Sequence, residues 1–191
     1  MTTTDASAET KGRRTDTRQV ILQTALELFA EKGYDATSMR EIAEQIGISK
    51  PALYYHFDSK EDIVRGVLSD QMAQIDELVA WTAEQPSSPT LAAEVMERWT
   101  DIVQAHGTSM FRFIMGSHQI VREIQGNKHT IIPHLDQLVQ ALAPDASIED
   151  QLRMRIAFMS INLGGIFGAS IDAPEDEVLQ AARKVALSLL P

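Results

Sequence analysis

The sequence predicts an all-α fold. Apolar side chains recur at helical spacing along nearly the whole chain, Pro86, Pro89, Pro133, Pro144 and Pro174 fall where that spacing breaks, and no stretch alternates convincingly as a half-buried strand would. Its 191 residues suit one domain, or a small module joined to a larger one, and exclude a long multidomain enzyme.

The elements follow in order. Residues 1–15 lack an apolar face and are expected to form a mobile basic arm. Ile21, Ala25, Leu28 and Phe29 then share one helical face, which Gly33 should end. Ser38 and Glu41 form an S-x-x-E capping box for a short second helix carrying Met39, Ile42 and Ile46 and closed by Gly47. Ser49 caps a third helix to Phe57. Ser59, with Asp62 three residues on, starts a fourth that runs to about Glu84, with Ile63, Val67, Ile75 and Leu78 on one stripe. Beyond the Pro86–Pro89 break, helical patterns recur over about 90–106, 108–125, 131–143, 147–170 and 174–190.

Composition narrows the setting. Lys and Arg number 17 against 27 Asp and Glu, a formal charge of −10, and cysteine is absent, which excludes disulfides, thiolate metal ligands and thiol nucleophiles. The longest uncharged run, residues 156–171, is shorter than the roughly 18 apolar residues a membrane span needs and is diluted by Asn162 and glycines. The first ten residues carry no apolar stretch of the secretory kind. A cytoplasmic protein is expected.

The most informative stretch is 37–60. Ala43 is small enough for the next helix to cross closely, Gly47 supplies a left-handed turn, and Ile48 plugs the shared core, which is a helix-turn-helix signature. The second of its helices opens with small or polar groups and Pro51, leaving a slim N-terminus that can enter a major groove. Leu53 and Phe57, four apart, would hold its back to the core. Packing alone does not account for Tyr54, Tyr55, His56 and Phe57, because consecutive helical positions cannot all face one core.

Ala25-Leu26-Glu27-Leu28-Phe29, Gly33-Tyr34, Thr37-Ser38-Met39-Arg40-Glu41-Ile42-Ala43, Gly47-Ile48-Ser49, and Leu53-Tyr54-Tyr55-His56-Phe57 with Ser59-Lys60-Glu61 together strongly resemble the tetracycline-repressor (TetR, AcrR-like) family of bacterial transcriptional regulators. The resemblance covers about residues 15–65. It implies a helix-turn-helix DNA-binding domain over 16–62 and a larger ligand-binding and dimerisation domain over 63–191, in a repressor of palindromic operators released by a small apolar or amphipathic molecule. It assigns Ser49, Lys50, Pro51, Ala52 and Tyr55 to base reading and Thr37, Ser38, Tyr54, His56 and Lys60 to phosphates. The chemistry agrees: Lys50 can donate to guanine, Ala52 and Tyr55 can touch thymine methyls, and hydroxyls, an imidazole and an ammonium suit phosphate.

Within 37–60, Arg40, Lys50 and Lys60 are offset by Glu41, Glu44 and Asp58, so no broad basic patch exists. DNA affinity would rest on where the cations point, helped by Lys11, Arg13, Arg14 and Arg18 if these lie along a groove rather than forming a solvated tail.

The last two helical segments have the pattern of an association surface. Leu152, Ile156, Met159, Leu163, Ile166 and Phe167 are apolar at helical spacing, Gly164 and Gly168 permit close helix approach, and Val178, Ala182, Val185 and Leu189 form a second apolar face. An ordinary monomeric core is the alternative; the resemblance implies a four-helix interface of a homodimer. A two-fold dimer would place two recognition helices on half-sites about one turn, or a multiple, apart.

Trp99, Ile102, Val103, Met110, Phe111, Ile114 and Met115, with Met154 and Phe158, can line an adaptable apolar pocket or form ordinary core; His118 is grouped with them. The resemblance implies a small-molecule effector there. Arg112, Arg122, Glu94, Glu97 and Asp101 could orient a charged ligand, though solvation explains such residues equally well. His106, His118, His129 and His134 lack metal-ligand spacing, and no nucleophile elbow, phosphate loop or cofactor fingerprint is present, so no metal, cofactor, membrane partner or enzymatic activity is expected.

Overall fold

A computed structural model describes residues 5–125, 131–168 and 171–191, with the side chains of 5–16, 106–108, 125, 165–166 and 175 outside that description. The described elements are all helical: α1 (Asp5–Lys32), α2 (Met39–Ile46), α3 (Lys50–His56), α4 (Lys60–Glu84), α5 (Leu91–Gly116), α6 (His118–Gln125), α7 (Ile132–Leu142), α8 (Ile148–Gly168) and α9 (Glu175–Leu189). They form two compact units, Met1–Ser69 with Phe113–Gln125, and Asp70–Arg112 with Gly126–Pro191; α4 and α5 each contribute to both.

This division differs from the expected one after residue 62. The first unit runs seven residues further into α4 and regains the end of α5 and all of α6. Phe113 explains the return: its ring is fully buried and lies 5.4 Å from that of Phe29. Local periodicity cannot show so distant a partner.

In the first unit, α1 buries Ile21, Leu22, Ala25, Leu26, Leu28 and Phe29 at three- and four-residue spacing and stops at Gly33, whose φ of +88° is open to glycine at little cost. The Gly33 N–H closes the helix on the Phe29 carbonyl at 3.0 Å. The segment expected to be mobile is helical from Asp5; Lys11, Arg13 and Arg14 lie outside the described side chains. α4 begins with a reciprocal Ser59–Asp62 cap and buries Ile63, Val64, Val67 and Leu68. Gly66 sits among them because a Cβ there would meet Leu22 Cδ2 at 2.8 Å and Phe57 Cε1 at 3.1 Å.

The second unit has one apolar core drawn from α4, α5, α7, α8 and α9, including Ile75, Leu78, Val95, Met96, Trp99, Leu135, Leu138, Phe158, Ile161 and Ala186. Trp99 and Phe158 meet edge to face at 5.1 Å. α5 continues through Gly107, where the sequence suggested a break, and the chain turns at Ser117 instead. Hydrogen bonds from Ser117 N–H to Phe113 O and Val121 N–H to Ser117 O carry the backbone across that turn. No described helix is long and apolar enough to cross a membrane.

Candidate nucleic-acid interface

The short helices around residue 47 are fixed by their ends. Ser38 Oγ accepts the Glu41 N–H at 3.2 Å while the Glu41 carboxylate accepts the Ser38 N–H at 2.9 Å, completing the expected capping box. The Ser38 amide, then its hydroxyl, and Lys32 hold the Glu41 carboxyl below its ordinary pKa. At the other end Gly47 adopts φ +80°, its N–H reaches the Glu44 carbonyl and the Ile48 N–H reaches Ala43 O, a Schellman turn that fixes the exit direction toward α3. Ile42 and Ala43 are buried behind it.

Ser49 then caps α3 by accepting the Ala52 N–H at 3.3 Å, and Pro51 occupies the first turn, where its missing N–H is not needed. Leu53 and Phe57 are buried, so the seven-residue helix is anchored by its back. Its opposite side is open: Ser49, Lys50, Pro51, Tyr54 and Tyr55 are exposed, Tyr55 at 67%, and Ala52 is half-buried. Of the five expected base-reading residues, four are therefore exposed and Ala52 is half-buried. Lys50 Nζ rests 5.6 Å from the Tyr54 ring centroid, and the Tyr55 and His56 rings meet edge to face at 5.4 Å.

The expected phosphate set divides by exposure. Tyr54, Ser38 and the half-buried His56 remain accessible, but Thr37 is 1% exposed and donates its hydroxyl to Gly33 O at 2.9 Å, so its side chain braces the turn from inside. Lys60 Nζ is likewise engaged, 2.6 Å from Tyr34 O and 2.8 Å from Thr37 O. Both placements have one cause: the turn at 33–37 presents backbone carbonyls that these donors meet, which a sequence pattern does not display. Arg18, expected in the arm, lies over the Phe57 ring at 5.1 Å. Arg40 is bound to Glu44 at 2.7 Å, and that bond pushes the Arg40 pKa up.

Tyr34 and Glu61 were visible in the sequence only as motif letters. In the structure the Tyr34 hydroxyl donates to Glu61 at 2.8 Å. Burial, then Glu61, pushes the Tyr34 phenol well above its ordinary pKa, while that bond holds Glu61 below its own.

The expected pocket residues divide. Trp99, Ile102, Val103, Met110, Phe111, Met154 and Phe158 belong to the second unit, with Ile102 and Val103 packed on its core, whereas Ile114, Met115 and His118 belong to the first. Met115 is 61% exposed and His118 is exposed, so these two line no interior here; they sit beside the turn at Ser117 rather than on a continuous helix face. Among the described residues the buried Trp99 Nε1–H meets no acceptor. Of the charged candidates, Glu97 pairs with Arg183 and Glu94 accepts from Thr90. His134 Nε2 lies 2.9 Å from Asp76; His106 and His129 lie outside the described side chains, and no group of metal-binding side chains assembles among the described residues.

The expected association residues also divide. A Cβ on Gly164 or Gly168 would lie 2.7 Å from Ala182 Cβ or 2.3 Å from Val178 Cγ1, so both glycines serve contact between α8 and α9 of the same chain. Ala182 is buried there, and Met159, Leu163 and Leu189 are partly buried. Leu152, Ile156, Phe167 and Val185 remain exposed, with Ile148 continuing the α8 stripe; the Ile166 side chain lies outside the description.

Comparison with known proteins agrees with this construction. The profile for bacterial regulatory proteins of the tetR family matches residues 21–67. The transcriptional repressor KstR2 of Rhodococcus jostii (strain RHA1) is 40% identical over 106 residues, 53% of this chain and 49% of KstR2; AcrR of Shigella flexneri is 37% identical over 82 residues, 42% and 38%. The matched part thus spans about half, or less, of these relatives. A transcriptional regulator from Aquifex aeolicus VF5 shares the fold over 91% of this chain and 98% of its own, with a TM-score of 0.62 and 19% identity.

Proposed function

We propose that this chain, whose residues 21–67 match the tetR family of bacterial regulatory proteins, is a homodimeric transcriptional repressor whose grip on a palindromic operator is released by a small apolar or amphipathic effector. The observation that carries this reading is the accessible surface of α3, where Ser49, Lys50, Pro51, Ala52 and Tyr55 face outward from a helix fixed at both ends. Such a helix fits a major groove and presents an ammonium, hydroxyls and an aromatic edge to base pairs. Ser38, Tyr54 and His56 would hold phosphates and set register. Work on an operator puts the protein in the cytoplasm, without enzymatic chemistry.

The exposed stripe Ile148, Leu152, Ile156 and Phe167, with Val185, supports pairing with a second copy, because burying it on a twin removes apolar surface from water and supplies the second recognition helix. An effector would act in the second unit, where Met96, Met154, Trp99 and Phe158 form an apolar interior whose indole N–H meets no acceptor among the described residues. Binding there changes operator occupancy only if the effector prefers one arrangement of the helices; a typical coupling of about 1–3 kcal/mol alters DNA affinity about 5- to 150-fold. α4 and α5, shared by both units, are the backbone routes for that preference.

The test is selection from a random-sequence duplex library with the wild-type chain, followed by gel-shift titration. Recovery of a palindrome bound saturably, with Lys50→Ala and Tyr55→Ala relaxing base preference, is expected. Enrichment of no sequence at moderate salt refutes the proposal.

A further inference from the structure

Resting on the DNA-binding reading, we infer that Lys60 and Glu61 form a two-ended clamp on Tyr34, and that Lys60 supports operator binding by positioning the turn before α2 rather than by neutralising a phosphate.

Three contacts fix the ammonium. Its Nζ donates to Tyr34 O at 2.6 Å and Thr37 O at 2.8 Å and stands 4.0 Å from the centroid of the Tyr34 ring. Hydrogen bonds from a charged donor are the strong ones, and the negative face of the ring adds attraction. A phosphate would have to draw the ammonium away from two part-buried carbonyls, leaving Thr37 O without this donor and Tyr34 O with the longer bond from the Thr37 N–H. Glu61, the next residue, takes the other end of the same tyrosine by accepting its hydroxyl at 2.8 Å. The ring itself leans on Phe29 at 5.5 Å.

What the clamp holds matters for α2 and α3. Thr37 immediately precedes Ser38, the N-cap of α2, and its N–H and hydroxyl bond to Tyr34 O and Gly33 O. The start of α2 is therefore set by the carbonyls that Lys60 ties to the first turn of α4. From α2 the Schellman turn at Gly47 passes that orientation to α3. A lysine at the first position of a helix faces the positive end of the helix dipole, a locally unfavourable place that the two carbonyls and the ring offset.

The experiment uses the full chain and a duplex selected by the wild type, with dissociation constants measured over a series of potassium chloride concentrations. Lys60→Met should weaken binding by roughly tenfold at every salt concentration, the scale of one charge-assisted hydrogen bond. The slope of log affinity against log salt should stay at the wild-type value. Lys60→Arg should fail to restore affinity, because a planar fork does not reproduce both carbonyl contacts. Tyr34→Phe and Glu61→Gln, which remove neither a cation nor a phosphate ligand, should weaken binding in the same direction with the slope unchanged, and they keep the inference testable if Lys60→Met unfolds. A slope reduced by about 0.9 per protomer in Lys60→Met, recovered by Lys60→Arg, with Tyr34→Phe binding as wild type, overturns the clamp. A wild-type chain that selects no duplex overturns the DNA-binding reading and this inference with it.

Discussion

Gly164 offers a sharp test of how α8 and α9 are held. A methyl added there would lie 2.7 Å from Ala182 Cβ, where ordinary contact begins at 3.4 Å, and a Cβ cannot rotate away because it is fixed to its backbone. Gly164→Ala must therefore push the helices apart or bend one of them, an overpacking cost of about 1–3 kcal/mol. Alanine at the same time favours the helix by up to about 1 kcal/mol. The net expectation is a destabilisation of up to about 2 kcal/mol, which for a chain of this size lowers Tm by up to about 8 °C. Ala182→Gly removes the opposing methyl, so the double substitution should recover part of the loss, with a coupling of about 1–2 kcal/mol. Thermal unfolding followed by circular dichroism, at one protein concentration because dimerisation shifts stability, measures all four corners of the cycle. A higher Tm in Gly164→Ala, or additive substitutions, would refute the assignment of this glycine to contact within one chain.

The remaining expectations concern separate parts of the molecule. Ile156→Glu with Phe167→Glu, both at exposed positions (47% and 64%), should convert a dimer to monomer in size-exclusion chromatography and lower operator affinity while the second-unit core stays folded; a persistent dimer would move the interface elsewhere. Gly47→Ala forces a φ of +80° on a residue with a Cβ, so stability should fall by about 1–2 kcal/mol and DNA binding with it. Thr37→Val leaves the Gly33 carbonyl without its donor, so it should lose about 1 kcal/mol of stability without altering the salt dependence of binding. Stability should also fall toward both pH extremes. Glu41 and Glu61 are held below their ordinary 4.5, so what they contribute is present above that value and is lost as pH falls through their folded values. Tyr34 is raised above its ordinary 10.0, so its contribution is present below that value and is lost as pH rises toward its folded one. A pH series of Tm checks both limbs, and the alkaline loss should shrink in Tyr34→Phe.

The elements most legible in sequence were those fixed by local chemistry. The Ser38–Glu41 capping box, the stops at Gly33 and Gly47 and the Ser49 cap each involve residues within four or five positions of one another, so spacing alone announces them. The open side of α3 was legible for the same reason: with Leu53 and Phe57 turned inward, helical geometry leaves Lys50, Pro51 and Tyr55 outside. Break points were harder. Gly107 looked like an end of helix, yet α5 passes through it, because a single glycine costs only about 1 kcal/mol, which packing along a long helix can offset.

The sequence by itself determined the all-α class, the helix-turn-helix and the residues that face outward from it, because these follow from periodicity and capping over a single turn of helix. Only the tertiary structure decided that Phe113 closes the first unit against Phe29, that Gly164 and Gly168 seat α9 of the same chain, and that Lys60 spends its charge on the carbonyls of Tyr34 and Thr37. Each of these is a pairing between residues ten or more positions apart. A side chain's chemical type states what it can bond to, but which carbonyl, ring or methyl it meets depends on where the folded backbone brings them.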